Sequence, residues 1–224
     1  MRYLGLELND LNKNTSHLNK RRMLSYACLS RITASGIYLK KQTNPRQIVQ
    51  LYKTYIRPIL FFGCENFFYE KTELSKISTV DGNILKTMIG IPIQCHHTDL
   101  QLAFGMDSAE QYIAYSRAKF IKRLNDNAYT REIMIFTLNN QIKNSMTDKY
   151  FNTHKVNENE RSYNKLIEIV EEEIDKFKSF NKNRKDKSFY FNSKVSSIRK
   201  LADDFETIDF HDELFKLIKY EDSA

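Results

Sequence analysis

The segment NPRQIVQLYKTYIRPILFFGCENFF, residues 44–68, constrains this chain more than any other. Asn44 followed by Pro45 is a helix start: the amide accepts from unpaired backbone donors, and proline at the first position lacks an N–H that would be unpaired anyway. From there Ile48, Leu51, Tyr52, Tyr55 and Ile56 recur at helical spacing, one apolar stripe that must bury against something. Arg46, Gln50, Lys53 and Arg57 stack along another face and make it basic. Pro58 is expected to end or kink the helix, because it removes a donor and restricts Arg57. With only 6 Gly and 3 Pro in 224 residues, Pro58 and Gly63 inside so apolar a run signal a bend. Gly63 is expected to turn the backbone so that Glu65 reaches a polar partner, either helix N-terminal amides or an arginine of the helix expected from His17 to about Ser35, since a buried carboxylate must be paired.

Helical patterning extends over most of the chain. Asn14, Thr15 or Ser16 can cap a helix from His17 to about Ser35, closed by Gly36 and Ile37. A third helix opens at Thr72, carries Leu74, Ile77, Asp81, Ile84, Leu85 and Met88, and closes near Gly90 and Pro92. Capping boxes at Thr98 with Gln101 and at Ser108 with Gln111 precede further helices, the second running through Ile113, Phe120, Ile121 and Leu124. The single strand expected lies near Tyr3 to Leu8. Residues 148–164 lack periodicity and read as a linker or mobile loop. Beyond them Leu166, Val170, Ile174 and Phe177 mark a helix, KNRKDK at 182–187 reads as a basic loop, and two shorter helices follow. The expected fold is mainly α: a helical bundle with a short N-terminal strand over 1–124, a connecting helix over 125–147, the linker, and a smaller helical C-terminal region over 165–224.

Composition narrows the function classes. No apolar run approaches the ~20 residues that span a bilayer, and the first residues carry no secretory pattern. Cys28, Cys64 and Cys95 are odd in number and form no CxxC pair, which favours a reducing compartment over a disulfide framework. An intracellular protein, nuclear or cytoplasmic, is expected. The net charge of +7 is unevenly spread: residues 1–60 hold 11 Lys/Arg against 2 Asp/Glu. A segregated positive field points to an anionic partner, nucleic acid before a membrane surface, with a plain solvated basic face as the alternative.

Four segments in order then take on meaning: YLGLEL at the N-terminus, LYKTYIRPILFFGCENF at 51–67, ILKTMIGIP at 84–92 and TDLQLAFGM at 98–106. Together they resemble the region just after the polymerase palm in non-LTR (LINE-type) retrotransposon reverse transcriptases. Tyr3, Leu4 and Gly5 match that family's first element; Pro58, Phe62, Gly63 and Glu65 match its second; Ile89, Gly90 and Pro92 match its third. Phe67 departs from the family's usual tryptophan, and Ile93 stands where a basic residue is common. The resemblance covers about residues 2–107 and implies a thumb-like domain that holds a primer–template duplex, without the catalytic palm. Expected partners are RNA, DNA or a hybrid duplex, bound along the backbone without sequence preference through Lys20, Arg21, Arg22, Arg46, Lys53 and Arg57, and in a split polymerase a separate palm-containing chain. A helical protein-interaction module, or a decayed remnant without nucleic-acid affinity, is the alternative.

No catalytic constellation is expected in this chain. Polymerase chemistry gathers carboxylates around two metal ions. The pair Asp203 and Asp204 in LADDF echoes such a motif, yet Val195, Ile198, Leu201, Ala202 and Phe205 space as a helix, which places both on its surface. Cys95, His96 and His97, with Cys64 and His17 elsewhere, invite a zinc reading, but adjacent histidines do not match the paired knuckles of tetrahedral sites. No cofactor and no metal are expected.

Overall fold

The computed structural model describes residues 2–3, 6–7, 14–35, 43–93, 97–185, 193–204 and 213. The fold is mainly helical. In place of one strand near Tyr3 to Leu8, Arg2–Tyr3 (β1) pairs antiparallel with Leu6–Glu7 (β2), with Tyr3 opposite Leu6. Leu4 and Gly5 lie outside the described residues, as do Gly36 and Ile37 of the expected helix cap.

The chain divides into two compact units, the first built from Met1–Gly63, Tyr69–Glu110 and Asn183–Ala224. It contains α1 (Thr15–Ala34), α2 (Pro45–Leu51), α3 (Arg57–Leu60), α4 (Lys71–Ile89), α5 (Thr98–Ala103) and α10 (Ser193–Asp203). Asn44 caps α2 by accepting from the Arg46 N–H, and Pro45 occupies its first turn. Glu70 and Glu73 form a capping box on α4, which Gly90 closes in the left-handed region at φ +89°. The core gathers Ile48, Tyr52 and Ile56 with Ile84, Leu85 and Met88 of α4, Leu100 of α5, and Ile198 and Ala202 of α10.

Of the two outcomes expected at Pro58, an end or a kink, the helix does not end there. Between α2 and α3 the backbone forms a π-helical turn over Tyr52–Ile56, and α3 continues through Pro58 to Leu60. Proline's ring would clash with the carbonyl four residues earlier in a straight α-helix. A wider turn just before it relieves that clash, so the helix continues through the proline instead of breaking. The same turn re-registers the faces. Residues spaced by four, Ile48, Tyr52, Ile56 and Leu60, all bury, while Tyr55, expected in the core, is 56% exposed.

The second unit comprises Cys64–Phe68 and Gln111–Lys182. It includes most of α6 (Ala109–Asp126), then α7 (Ala128–Asn139), α8 (Met146–Thr153) and most of α9 (Tyr163–Lys185). The expected connecting helix over 125–147 is thus interrupted, by Asn127 capping α7 and by a turn in which Gln141 and Asn144 take positive φ. The segment 148–164 is not a linker: α8 occupies its start, and Tyr150 and Phe151 are fully buried beside Leu166 and Val170. Their two aromatic rings, close together in an otherwise polar run, were the overlooked core signal. The expected basic loop at 182–187 also changes, because α9 runs to Lys185.

Around Tyr150 the second unit is cross-linked by charge. The Tyr150 hydroxyl donates to Glu173 Oε2 at 2.7 Å, and His154 Nε2 lies 2.9 Å from Glu173 Oε1. His154 Nδ1 lies 2.9 Å from the Tyr150 carbonyl oxygen. Both ring nitrogens face oxygens that accept when Glu173 is ionised, so the imidazole donates from both sides as a cation. Consistently, the Glu173 hydrogen bond holds His154 above its ordinary 6.5 against the opposing effect of burial. Burial pushes Glu173 up, but hydrogen bonds from His154 and Tyr150 outweigh it and leave the carboxyl below its ordinary 4.5.

The signs define a window. The stabilisation from His154 is full below pH 6.5 and is lost as pH rises through its raised value; that from Glu173 is full above 4.5 and is lost as pH falls through its lowered value. This pair therefore stabilises the second unit most between pH 4.5 and 6.5. Thermal melts of wild type and His154→Ala across pH 5 to 9, at about unit intervals, should converge as pH rises through the histidine's titration. A constant gap between the two curves would show that His154 is not held as the cation.

Candidate nucleic-acid interface

The basic stripe read from the helix after Asn44 does not form one surface. Arg57 is buried, with Nε 3.4 Å from Asp81 Oδ1 and Nη2 donating to the Asp107 carbonyl at 2.5 Å. Asp81, fully buried on α4, also accepts from the Tyr52 hydroxyl at Oδ1 and from Gln101 Nε2 at Oδ2, the latter at 2.8 Å. Burial raises the Asp81 carboxyl from its ordinary 3.8, opposed by Arg57, the Tyr52 hydroxyl and His97. The Tyr52 phenol is pushed well above 10.0 by burial and by Asp81. Arg57 is therefore a structural counter-charge and not a phosphate ligand.

The remaining members of the stripe are engaged differently. Lys53 Nζ donates to the carbonyls of Phe104 at 2.9 Å and Gly105 at 3.4 Å, satisfying acceptors at the end of α5. Arg46 is exposed, and its Nη2 lies 2.5 Å from Asp203 Oδ1 of α10. Asp203 thus stands on a helix surface opposite a cation. The re-registering π turn is why a plain helical period misplaced Arg57.

Removing one partner of a buried pair strands the other's charge, which costs about 3–5 kcal/mol. Arg57→Ala should lose stability on that scale in urea unfolding, whereas Arg46→Ala, breaking an exposed pair, should change it by about 1 kcal/mol or less. Equal small losses at both positions would contradict the buried ring.

The resemblance motif residues hold backbone positions. Gly63 takes φ +76°, which side-chain-bearing residues rarely adopt, and a Cβ there would also push the tip of Leu6, 2.2 Å away at Cδ2. Glu65 is half-buried in a short 3₁₀ turn over Cys64–Asn66; the fully buried carboxylate is Asp81 instead. Pro58 is exposed within α3, and Pro92 is half-buried two residues after Gly90. Tyr3 lies in β1.

Among the described residues no three His, Cys, Asp or Glu side chains converge on a possible metal position, and Cys95 and His96 lie outside them. His17 is buried with Nε2 3.0 Å from the Phe62 carbonyl oxygen. The His97 ring packs against Gly82, with Nε2 3.3 Å from Ser78 Oγ. No helix among the described residues is long and apolar enough to cross a membrane.

What the first unit does offer is a cleft of about 530 Å³ between α1 and α4. Helix α1 contains Lys20, Arg21, Arg22 and Arg31 and no acidic residue. Its buried row, His17, Arg21, Ser25 and Leu29, leaves Arg22 exposed along the cleft. Arg21 is buried beneath, its guanidinium 4.5 Å over the Phe62 ring, and Lys20 is half-buried. From the facing α4, exposed Lys76 completes a cationic rim. Glu73, an acid in the lining, is turned to the helix start, where Oε2 accepts from the Glu70 N–H at 3.1 Å and Asn14 Nδ2 at 3.4 Å.

Lys76 and Tyr26, both in this cleft, were not among the residues singled out from the sequence. The signal was present: Asn19, Arg22 and Tyr26 are spaced by three and four, as are Lys76, Thr79 and Asn83, one row on each facing helix. Comparison with known proteins returned no matching family model, curated protein or solved structure.

Proposed function

We propose that the first unit is a thumb-like nucleic-acid-binding module of the kind found in LINE-type reverse transcriptases, gripping the phosphate backbone without sequence preference. The observation that carries this reading is α1: a helix with four basic and no acidic residues, whose Arg22 faces Lys76 of α4 across an open cleft. Clustered cations bind phosphates and release counterions, and such contacts position a duplex without reading it. The contact set differs from the one inferred from the sequence. Lys20 and Arg22 remain from that set and Arg31 and Lys76 join them, while the buried Arg21 and Arg57, with Arg46 and Lys53, serve the fold. The motifs at Pro58, Gly63, Glu65, Gly90 and Pro92 support the family resemblance through backbone geometry and contribute no chemistry.

A second reading, a protein-interaction module, draws on α7, where Tyr129, Ile133 and Phe136 leave an apolar stripe exposed at helical spacing. The readings part in a salt titration. About four phosphate contacts on duplex DNA give a slope of log K against log salt near −3.6. Arg22→Glu with Lys76→Glu should weaken all duplex sequences about equally and flatten that slope by about half, while Arg46→Glu leaves it unchanged. Full-chain binding that shows no salt dependence, or is unaffected by the double variant, would remove the backbone-binding reading.

A further inference from the structure

Resting on that reading, we propose that the α1–α4 cleft receives an unpaired nucleotide, so that the module prefers single-stranded nucleic acid to duplex. A duplex backbone needs only a cationic surface, whereas this surface is concave. The cleft's volume of about 530 Å³ falls within the range of small-ligand sites. Beside polar Asn19, Thr79 and Asn83, its lining carries two further chemistries. Leu18, Ile77 and Val80 supply apolar contacts, and Tyr26, 37% exposed, presents a ring on α1. Arg22 and Lys76 supply the charge.

A base and its phosphate are that combination: a flat, largely apolar ring joined to an anion. Aromatic side chains stack on bases of any identity, because each base offers a π-face, while the cations hold the backbone. Paired bases are stacked inside a duplex and cannot enter without unpairing. The capping interactions of Glu73 direct its carboxylate toward the start of α4, which lowers the local repulsion an incoming phosphate would meet. A fatty or neutral ligand would leave Arg22 and Lys76 without use, and a purely anionic one would leave Tyr26 and the apolar lining without use.

The test is fluorescence anisotropy with the full chain and three probes of equal length: an oligouridylate, an oligothymidylate and a blunt mixed-sequence duplex. Wild type should bind the single strands more tightly than the duplex. Tyr26→Ala should weaken single-strand binding about tenfold and leave duplex binding unchanged, with Tyr26→Phe restoring it. Photocrosslinking a halogenated oligouridylate to wild type, mapped by mass spectrometry, should mark the α1 segment containing Tyr26 and requires no variant to fold. Equal binding of strand and duplex, or crosslinks only outside α1 and α4, would overturn the nucleotide cleft while leaving backbone binding intact. Failure of every probe to bind would overturn both.

Discussion

The carboxylate of Asp81 is the constraint around which the first unit is arranged. Placed with no exposure in an apolar core, it needs donors on both oxygens, and four separate segments deliver or support them. The π turn brings Tyr52, α3 brings Arg57, and α5 brings Gln101, while the Asp107 carbonyl accepts from the far end of the Arg57 guanidinium. A buried ion pair of this kind adds little net stability compared with a well-packed apolar substitute. Its effect is selective. A one-residue slip of the Tyr52 segment or of α5 would leave a charged group in the core without its donors, so the ring favours one helix register over neighbouring ones.

That ring also explains what could be read in advance. Helix existence was legible, because the apolar spacing around Ile48, Ile84 and Leu100 is strong and the stops at Gly90 and the start at Asn44 have local chemistry. The functional surface was less so. A straight helical period placed Arg57 outside and Tyr55 inside, and the π turn exchanges them. Nothing in the local propensities of YKTYI announces such a turn, although Pro58 six residues after Tyr52 supplies the physical motive for one. The apolar run around Glu65 points to a buried carboxylate there, whereas the helical pattern of Leu74, Ile77, Asp81, Ile84 and Leu85 puts Asp81 on an apolar face.

The candidate interface was legible in charge and not in address. The excess of cations in residues 1–60 is plain in the sequence, but which cations face outward depends on tertiary partners. Lys53 is consumed by the carbonyls at the end of α5, Arg46 faces Asp203 from near the other end of the chain, and Arg21 lies under α1 against Phe62. Each is a cation whose hydrogen-bonding or packing role is set by residues distant in sequence. A linear reading has no access to those distances. Arg22 and Lys76 come to line one cleft only once α1 and α4 pack side by side.

The first unit is discontinuous, and the order of synthesis gives that a temporal meaning. Most of the second unit is one unbroken stretch from Gln111 to Lys182, whereas the first unit's core is completed by Ile198 and Ala202 of α10. A ribosome making this chain releases α1, α2, α4 and α5 long before α10, which adds Ile198 and Ala202 to their core. The second unit has most of its core, from Ala118 to Ile174, available earlier than the first has its own. Domains generally fold as units during synthesis. On that principle the second unit can close first, while the first unit's core lacks Ile198 and Ala202 until α10 is made. Chains ending just after Lys185 and released from the ribosome would show this as a protease-resistant second unit beside a still-cleavable first one.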